Sequence, residues 1–420
     1  MNYRRRIFDD WLDTYQPLLP AIEIHGPKGV GKTATAHRRA QSVLALDDPA
    51  DRELVAADRG LVHRIDAPVL LDEWQRAPEV WDVVRRDVDD RGEPGRYLLT
   101  GSTAPTGAPI HSGAGRIVGV RMRPMSLAER GVAEPTVSLA GLWAGGVDVD
   151  GATEVSLETY VEEIVASGFP AIRAMPPALR ALQLDSYLTA VVQREFPEQG
   201  LAVRRPLVLR AWLRAFAAAT SSTASYNAIL DAATPGESDK PAKTTTIAYR
   251  DVLERLWLLD EVEAWSPSQN LLTRLGRAPK HHLADPALAA RLLGLDRKAL
   301  LTGRAAPGGE LRRGTVLGAL FEHLVTLSVR GYATDANVHH LRSRNGDREV
   351  DLVVVRPDGS VIAIEVKLAV AVTDDDVRHL AWLRSRLGDD LVAAVVVTTG
   401  KRAYRRADGV LVVPFALLGP

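Results

Sequence analysis

The chain has 420 residues, which is more than one hydrophobic core usually holds, so we expect two or three domains. Its hydrophobic content of 46% and charged content of 25% are typical of a globular protein, and its net charge of −1 provides no global attraction to nucleic acid or membrane. The lack of cysteine excludes disulfides, thiol catalysis and cysteine-ligated metal. Because the sequence has neither an apolar signal core nor ~18 consecutive apolar residues, we expect a cytoplasmic protein with no membrane partner.

The first informative segment is a glycine-rich loop between a predicted strand at 21–25 and a predicted helix at 34–40. It fits G-x-x-x-x-G-K-[ST] at every fixed position, and in this context its N–H groups and the helix N-terminus form a phosphate cradle. We expect Lys32 to reach the β- and γ-phosphates of a nucleotide and the Thr33 hydroxyl to hold Mg²⁺. The predicted nucleotide-binding residues are Gly26, Pro27, Lys28, Gly29, Val30, Gly31, Lys32 and Thr33.

A second motif follows at 68–73, where four apolar residues lead into Asp72 and Glu73. Downstream of a phosphate-binding loop, this is where a Walker B strand delivers its acids. Asp72 is then a ligand of Mg²⁺ through water, and Glu73 orients and deprotonates the attacking water. The next predicted strand ends at Thr100 and Ser102, either of which could sense the γ-phosphate.

Up to about residue 140, predicted strands at 21–25, 42–46, 69–71, 97–99 and 117–121 alternate with helices, which predicts a parallel sheet covered on both faces. Arg116 closes the loop after the sensor strand. An exposed arginine there could stabilise transition-state charge in a neighbouring copy of the chain, which implies a homo-oligomer. The alternative is a surface arginine or a salt bridge.

The middle of the chain reads as helices at 160–166, 178–194, 206–219, 225–233 and 244–258, followed by a hairpin-like segment at 262–283. Helices followed by a ribbon outline a winged helix. Arg250 and Arg255 on the last helix are balanced by Asp251 and Glu254, so a lid or partner-binding module and a DNA-contacting module both remain open.

Beyond about residue 310, a helix at 317–325 precedes strands at 338–342, 349–355, 361–368 and 391–398, with a helix at 375–386. Asp351 begins an apolar run. Glu365 follows fourteen positions later and shares one strand face with Lys367. With Glu322 on the preceding helix, this is the PD-(D/E)XK nuclease constellation. Asp351, Glu365 and Glu322 could hold Mg²⁺, and Lys367 could activate water. The alternative is an alternating strand with one solvated face.

Taken together, these motifs resemble the prokaryotic AAA-type ATPases that join an ATPase module to an uncharacterised C-terminal domain with a nuclease-like core. The matching segments are 26–33, 71–75, 99–102, 115–116, 123–129, 168–170, 348–351 and 364–367. The resemblance implies ATP binding and hydrolysis, a winged-helix lid and a nuclease-like C-terminal domain. We therefore predict an α/β protein with a parallel-sheet P-loop AAA-type ATPase domain at 1–140, a helical winged-helix-like lid domain at 150–300 and an α/β restriction-endonuclease-like domain at 310–420.

Two functions remain open from the sequence. The first is an ATP-driven enzyme acting on DNA or RNA through the C-terminal domain, which the basic clusters at 204–214 and 401–406 mildly favour. The second is a nucleotide-dependent switch that binds a protein partner and whose nuclease-like domain is catalytically silent. Only eight of the 52 basic Lys and Arg residues are lysine, so each lysine is a candidate for a specific role.

Overall fold

A five-stranded parallel sheet forms the N-terminal part of the protein, in strand order β2-β3-β4-β1-β5. The computed structural model describes residues 3–103, 113–145, 149–233, 243–267, 277–303, 313–343 and 346–420. The five predicted strands are confirmed to within two residues. They are β1 Ala21–His25, β2 Ser42–Ala45, β3 Val69–Asp72, β4 Tyr97–Gly101 and β5 Ile117–Arg121.

Both faces of this sheet are covered, as its uninterrupted apolar strands require. The helix Glu79–Asp90 buries Val80, Trp81 and Val84 against one face. A short strand, β6 Val137–Ser138, follows the sheet. The other helices of this part are Ile7–Tyr15, Lys32–His37, Pro49–Ala57, Leu61–Arg64, Leu127–Arg130 and Leu139–Ala144.

The middle part is helical, as predicted. A π-helical turn, Val191–Glu195, extends the helix Pro177–Ala190. The remaining helices are Leu157–Ala166, Pro170–Arg173, Phe196–Glu198, Pro206–Ala218, Tyr226–Ala233, Lys243–Arg255, Pro286–Leu292 and Arg297–Thr302.

A ribbon follows the helix Lys243–Arg255, held by antiparallel bridges Leu259↔Leu283 and Val262↔Lys280. Ala264 then bridges His340 at the edge of the C-terminal sheet. The part of the predicted hairpin at 268–276 lies outside the described residues. The winged-helix interpretation therefore stays a prediction.

The C-terminal part is a mixed six-stranded sheet in order β11-β12-β10-β9-β8-β7, with antiparallel pairs β7/β8, β8/β9 and β11/β12 and parallel pairs β9/β10 and β10/β12. The helices Arg313–Tyr332 and Asp374–Leu387 pack on it. Its six strands are β7 Asn337–Arg342, β8 Glu349–Val355, β9 Val361–Lys367, β10 Leu391–Thr398, β11 Tyr404–Arg405 and β12 Leu411–Pro414. A last strand, β13 Leu418–Gly419, lies outside this sheet.

The end of the chain returns to its first third, because β13 pairs in parallel with β6. One hydrophobic cluster extends from Leu12 to Leu418 and includes residues of all three predicted domains. Within the described ranges, no helix combines the length and apolar character needed to cross a membrane.

Candidate functional site

The phosphate-binding loop lies at the carboxyl end of β1. Gly26 has φ +149°, and a Cβ there would lie 2.3 Å from the carbonyl oxygen of Met122, so only glycine fits. Gly31 has φ +109° and immediately precedes the helix Lys32–His37. The strand, the loop and the helix thus follow one another as the sequence predicts, and the helix N-terminus faces the loop.

Lys32 is folded into this loop. Its Nζ donates hydrogen bonds to the carbonyl oxygens of Gly26 at 2.8 Å and Pro27 at 3.2 Å, and the residue is only 5% exposed. Burial lowers the pKa of the Lys32 ammonium to about 8, although the charges of Glu73 and Asp72 act in the opposite direction. A cation is therefore held, at an electrostatic cost, where the motif requires one for phosphate.

Three oxygen-bearing side chains meet beside the loop. The Thr33 hydroxyl donates to Asp72 Oδ1 at 2.8 Å, and Thr100 Oγ1 donates a short hydrogen bond to the same oxygen. This follows from strand order, because β4, which carries Thr100, lies between β1 and β3. A hydroxyl paired with a carboxylate is a donor set that suits Mg²⁺, so the residues fit the predicted metal.

Glu73 has a left-handed backbone, with φ 52° and ψ 45°, which directs it out of β3. Its Oε2 accepts a short hydrogen bond from Gln75 Nε2 and one of 3.3 Å from Ser102 Oγ. Gln75 Nε2 also donates to Ser102 Oγ at 3.3 Å. The structure thus brings Ser102 to Glu73. Sequence reasoning assigned no role to Gln75, whose one signal is its position two residues after the predicted base.

The helical middle part contacts the loop directly. Lys28 Nζ forms an ion pair of 2.9 Å with Glu195 of the π-helical turn, and Tyr187 Oη donates to the Lys28 carbonyl oxygen at 3.2 Å. On the other side, the Trp257 ring stacks on His25 at 4.1 Å, one residue before the loop. The helical middle part therefore packs against the loop, and its role as a lid stays a prediction.

Arg116 lies away from this cluster. It immediately precedes β5, which runs parallel to β1. Arg116 therefore lies at the amino end of the strands, whereas the loop lies at their carboxyl end. Its Nε pairs with Asp89 Oδ1 at 2.7 Å, and the side chain is 43% exposed. Arg116 therefore takes no part in the site of its own chain, and its role toward a neighbouring copy stays a prediction.

A second cluster lies in a cavity of about 720 Å³ between the middle and C-terminal parts. Glu322 comes from the helix Arg313–Tyr332, Asp351 from β8, and Glu365 and Lys367 from β9. The antiparallel register of β8 and β9 pairs Leu352 with Ile364 and so brings Asp351 beside Glu365. The cavity therefore contains all four residues that the sequence predicted to act together.

A residue that the sequence did not place in this cluster, Lys280, contacts two of its carboxyl groups. Lys280 Nζ lies 2.7 Å from Glu322 Oε1, 2.9 Å from Asp351 Oδ1 and 3.5 Å from Glu349 Oε1, and its side chain is 1% exposed. Among the residues described, no group of three or more His, Cys, Asp or Glu side chains is arranged to hold a metal. Lys280 thus pairs with two of the three carboxyl groups predicted to hold magnesium, and the metal site of Glu322, Asp351 and Glu365 stays a prediction.

The protonation of the carboxyls follows from this arrangement. Burial and the charge of Asp351 raise the pKa of Glu322 to about 8 and that of Glu365 to about 8. Burial would also raise the pKa of Asp351, but Lys280 and the Val366 N–H, which donates to Oδ2 at 2.9 Å, hold it below its usual value. Lys367 Nζ pairs with Glu365 Oε1 at 2.9 Å, whereas Glu365 Oε2 is buried without a partner.

Three family models match three successive segments of the chain. Residues 19–130 match the model of an AAA domain. Residues 157–299 and 317–418 match two models that are each described as a domain of unknown function, DUF8612 and DUF4143. The N-terminal part is therefore a P-loop ATPase-type domain. The winged-helix and nuclease-like interpretations of the other two parts stay predictions.

Two relatives are similar over most of their length. They are the uncharacterized proteins Mb2031c of Mycobacterium bovis and Rv2008c of Mycobacterium tuberculosis. Each is 25% identical over 402 residues, covering 94% of this chain and 80% of the relative.

Two solved structures are also similar. The Walker-type ATPase paby2304 of Pyrococcus abyssi is 16% identical, with a TM-score of 0.35, over 68% of this chain and 93% of its own. The ORC2 protein of Aeropyrum pernix is 15% identical, with a TM-score of 0.27, over 68% and 89%.

Proposed function

We propose that this protein binds ATP with Mg²⁺ in the loop 26–33 and hydrolyses it. The observation that carries the proposal is the convergence of Thr33, Asp72 and Thr100 beside the buried ammonium of Lys32. Together with the match of residues 19–130 to an AAA domain, this cluster supports a nucleotide site that needs only local rearrangement to act.

Each residue of the cluster has a role in this proposal. Lys32 exchanges its two carbonyl partners for oxygens of the β- and γ-phosphates, while Thr33 and Asp72 would hold Mg²⁺. When bound, Mg²⁺ neutralises charge that develops on the phosphate oxygens. Glu73 accepts a proton from the attacking water, and Ser102 and Gln75 orient its carboxylate. Thr100, or Ser102, senses the γ-phosphate.

The test separates binding from turnover. Lys32→Ala should lose binding of a fluorescent ATP analogue, since it removes the phosphate-binding cation. Glu73→Gln should retain binding and lose phosphate release by about 10²–10⁴-fold, because only the base is removed. Lys298→Ala and Glu53→Gln, at exposed positions, are the matched controls. Wild-type turnover in Glu73→Gln would show that another group is the base.

A homo-oligomer with Arg116 acting in trans is a further part of this proposal. Arg116→Ala should lower ATP turnover and make it independent of protein concentration. Asp89→Ala removes the partner of Arg116 but not the guanidinium, so it should retain activity. Full activity of a strictly monomeric protein would contradict the proposal.

For the C-terminal part, the Lys280 network supports the second of the two predicted functions, a nucleotide-dependent switch that binds a protein partner through a catalytically silent nuclease-like domain. The proximity of Asp351, Glu365 and Lys367 supports the first, action on nucleic acid. Cleavage of single- and double-stranded DNA with Mg²⁺ or Mn²⁺ decides between them. Cleavage lost in both Asp351→Ala and Lys367→Ala would favour a nuclease, and equal residual cleavage in all three proteins would indicate contamination.

A further inference from the structure

Lys280 is one of the most deeply buried charged residues of the described chain, and its surroundings fix it in place. Its N–H donates to the Val262 carbonyl oxygen at 2.8 Å, and its own carbonyl accepts from Val262 N–H at 2.9 Å. The next residue, His281, is held on both sides, by Glu261 at 2.7 Å and the Ala224 carbonyl oxygen at 2.7 Å. The backbone that carries Lys280 is thus tied to the facing strand of the ribbon and to the segment before the helix Tyr226–Ala233.

The ammonium is the electrostatic centre of the acidic cavity. It contacts Glu322 and Asp351, which come from two different elements, and Glu349 lies 3.5 Å away. A cation in contact with converging carboxylates performs the charge-neutralising part of what a divalent metal does in such a cluster.

The oxygens are arranged for an ammonium and not for a metal. Magnesium requires oxygen ligands at about 2.0–2.1 Å in a near-octahedral set. Here the nearest oxygens lie 2.7 and 2.9 Å from a nitrogen that already occupies the space among them. A metal entering the cluster would have to displace Lys280 or lie beside its positive charge.

One carboxyl oxygen of the cluster, Glu365 Oε2, has no hydrogen-bond partner among the described residues. Lys367 contacts only Oε1 of Glu365, and Oε2 is buried in the same cavity without a partner. If the Lys280 charge were removed, Asp351 Oδ1 would lose its ammonium partner, and the neighbouring Glu365 already has one oxygen, Oε2, without a partner. That is the condition under which such a cluster takes up a divalent ion.

We infer that Lys280 is the built-in cation of the C-terminal cavity and that it excludes divalent metal from the Glu322, Asp351 and Glu365 cluster. The inference goes beyond ATP hydrolysis and does not depend on it. It gives Lys280 a function that the residue pattern of β8 and β9 does not reveal, namely to keep a nuclease-like cluster in a metal-free state.

The experiment counts bound Mn²⁺ by electron paramagnetic resonance on the nucleotide-free full chain, so that the loop 26–33 contributes equally to every protein. Wild type and Asp351→Asn should give the same titration. Lys280→Met should gain about one Mn²⁺ per chain, which the double variant Lys280→Met/Asp351→Asn should lose. Lys298→Met, at an exposed lysine, should behave as wild type.

Thermal unfolding gives a second measurement. Lys280→Met should unfold at a lower temperature than wild type in EDTA, and Mn²⁺ should raise its midpoint by about 5 °C, whereas wild type should show no such gain. A wild-type Mn²⁺ site that disappears in Asp351→Asn would overturn the inference, as would a folded Lys280→Met that gains no ion. If Lys280→Met does not fold, the comparison of wild type with Asp351→Asn can still overturn the inference, because an ion lost in Asp351→Asn would show that Lys280 does not exclude metal. Loss of ATP turnover in Lys32→Ala tests the ATPase proposal separately.

Discussion

The Lys32 ammonium donates hydrogen bonds to two carbonyl oxygens of its own loop, and the charges of Glu73 and Asp72 also favour its charged form. Because carbonyl dipoles compensate a buried charge less well than phosphate does, burial brings its pKa to about 8. In an unfolded chain a lysine titrates near pH 10.4, so below about pH 8 the folded apoprotein bears the full cost of the buried charge. That cost is relieved as the pH rises from about 8 to 10.4.

ATP binding should therefore be linked to proton uptake. Phosphate favours the charged form of Lys32, so affinity should be nearly constant below pH 8 and fall about tenfold per pH unit above it. Calorimetric titrations at pH 7 and pH 9 in buffers of different ionisation enthalpy measure the proton taken up. Lys32→Arg stays charged and should lose this pH dependence if it still binds. Equal wild-type affinity at pH 7 and pH 9 would contradict the assignment.

The two sites differ in how far their residues could be predicted. Lys32, Thr33, Asp72 and Glu73 lie in short motifs whose spacing determines their geometry, so the sequence indicates them directly. Lys280 contacts Glu322 and Asp351, which are 42 and 71 positions away along the chain. No local period links such residues, and the scarcity of lysine was the one signal that it had a specific role.

Strands with continuous apolar runs, such as β3, β4 and β10, were predictable, because burial on both faces of a sheet leaves a clear sequence pattern. The two-residue strands β6, β11 and β13 were not, because two residues carry no periodicity and these strands exist only through their partners. The hairpin-like segment predicted at 262–283 is confirmed by the antiparallel bridge Val262↔Lys280, whereas the bridge of Ala264 to His340 depends on another element, which a local pattern does not contain.

One carboxylate joins three elements. Asp260 on the ribbon contacts Arg121 at 2.9 Å on β5, Arg123 at 2.8 Å just after it, and Arg330 at 3.0 Å on the helix Arg313–Tyr332. Burial would raise the pKa of Asp260, but the three guanidinium groups hold it far below its usual value. The carboxylate is therefore ionised throughout the physiological range, and the ATPase sheet, the ribbon and the C-terminal helix share its charge.

Asp260→Asn should be strongly destabilising, by about 3–5 kcal/mol, because it leaves three partly buried guanidinium groups without their counter-charge. The free energy of unfolding in urea measures the loss. Asp335→Asn is the matched control, since Asp335 pairs with Arg356 at the surface, and it should cost no more than about 1 kcal/mol. Equal effects of the two substitutions would mean that the Asp260 cluster is not a stabilising junction.

At the scale of the whole molecule, the three predicted domains share a core. Tyr160, Phe321 and Phe415, one from the middle part and two from the C-terminal part, form an aromatic cluster with ring centroids 5.4 to 5.9 Å apart. The Ala416 N–H donates to Tyr160 Oη at 2.9 Å. The boundaries at 140–150 and 300–310 stay predictions, and the packing indicates that the parts do not unfold independently.

Phe415→Ala should lower the free energy of unfolding by about 3–5 kcal/mol, since it empties the centre of this cluster. We expect Phe415→Ala to unfold in one thermal transition at a lower temperature than wild type. Near-ultraviolet circular dichroism and proteolysis should report the same shift. Phe8→Ala, at a half-buried ring on the N-terminal helix, is the control and should shift it less. Separate transitions with only one of them shifted would contradict a shared core.

The pairing of β13 with β6 also constrains how the protein is made. Val137 meets Leu418 and Ser138 meets Gly419, so this pairing forms only after residue 419 has left the ribosome, about 280 positions after its partner strand. Until then the apolar surface around Leu127 and Leu142 of the first third, which belongs to the shared core, has no C-terminal residues to cover it. Such long-range pairing slows folding and prolongs the lifetime of aggregation-prone intermediates. We therefore expect the incomplete chain to be more prone to aggregation than the finished protein.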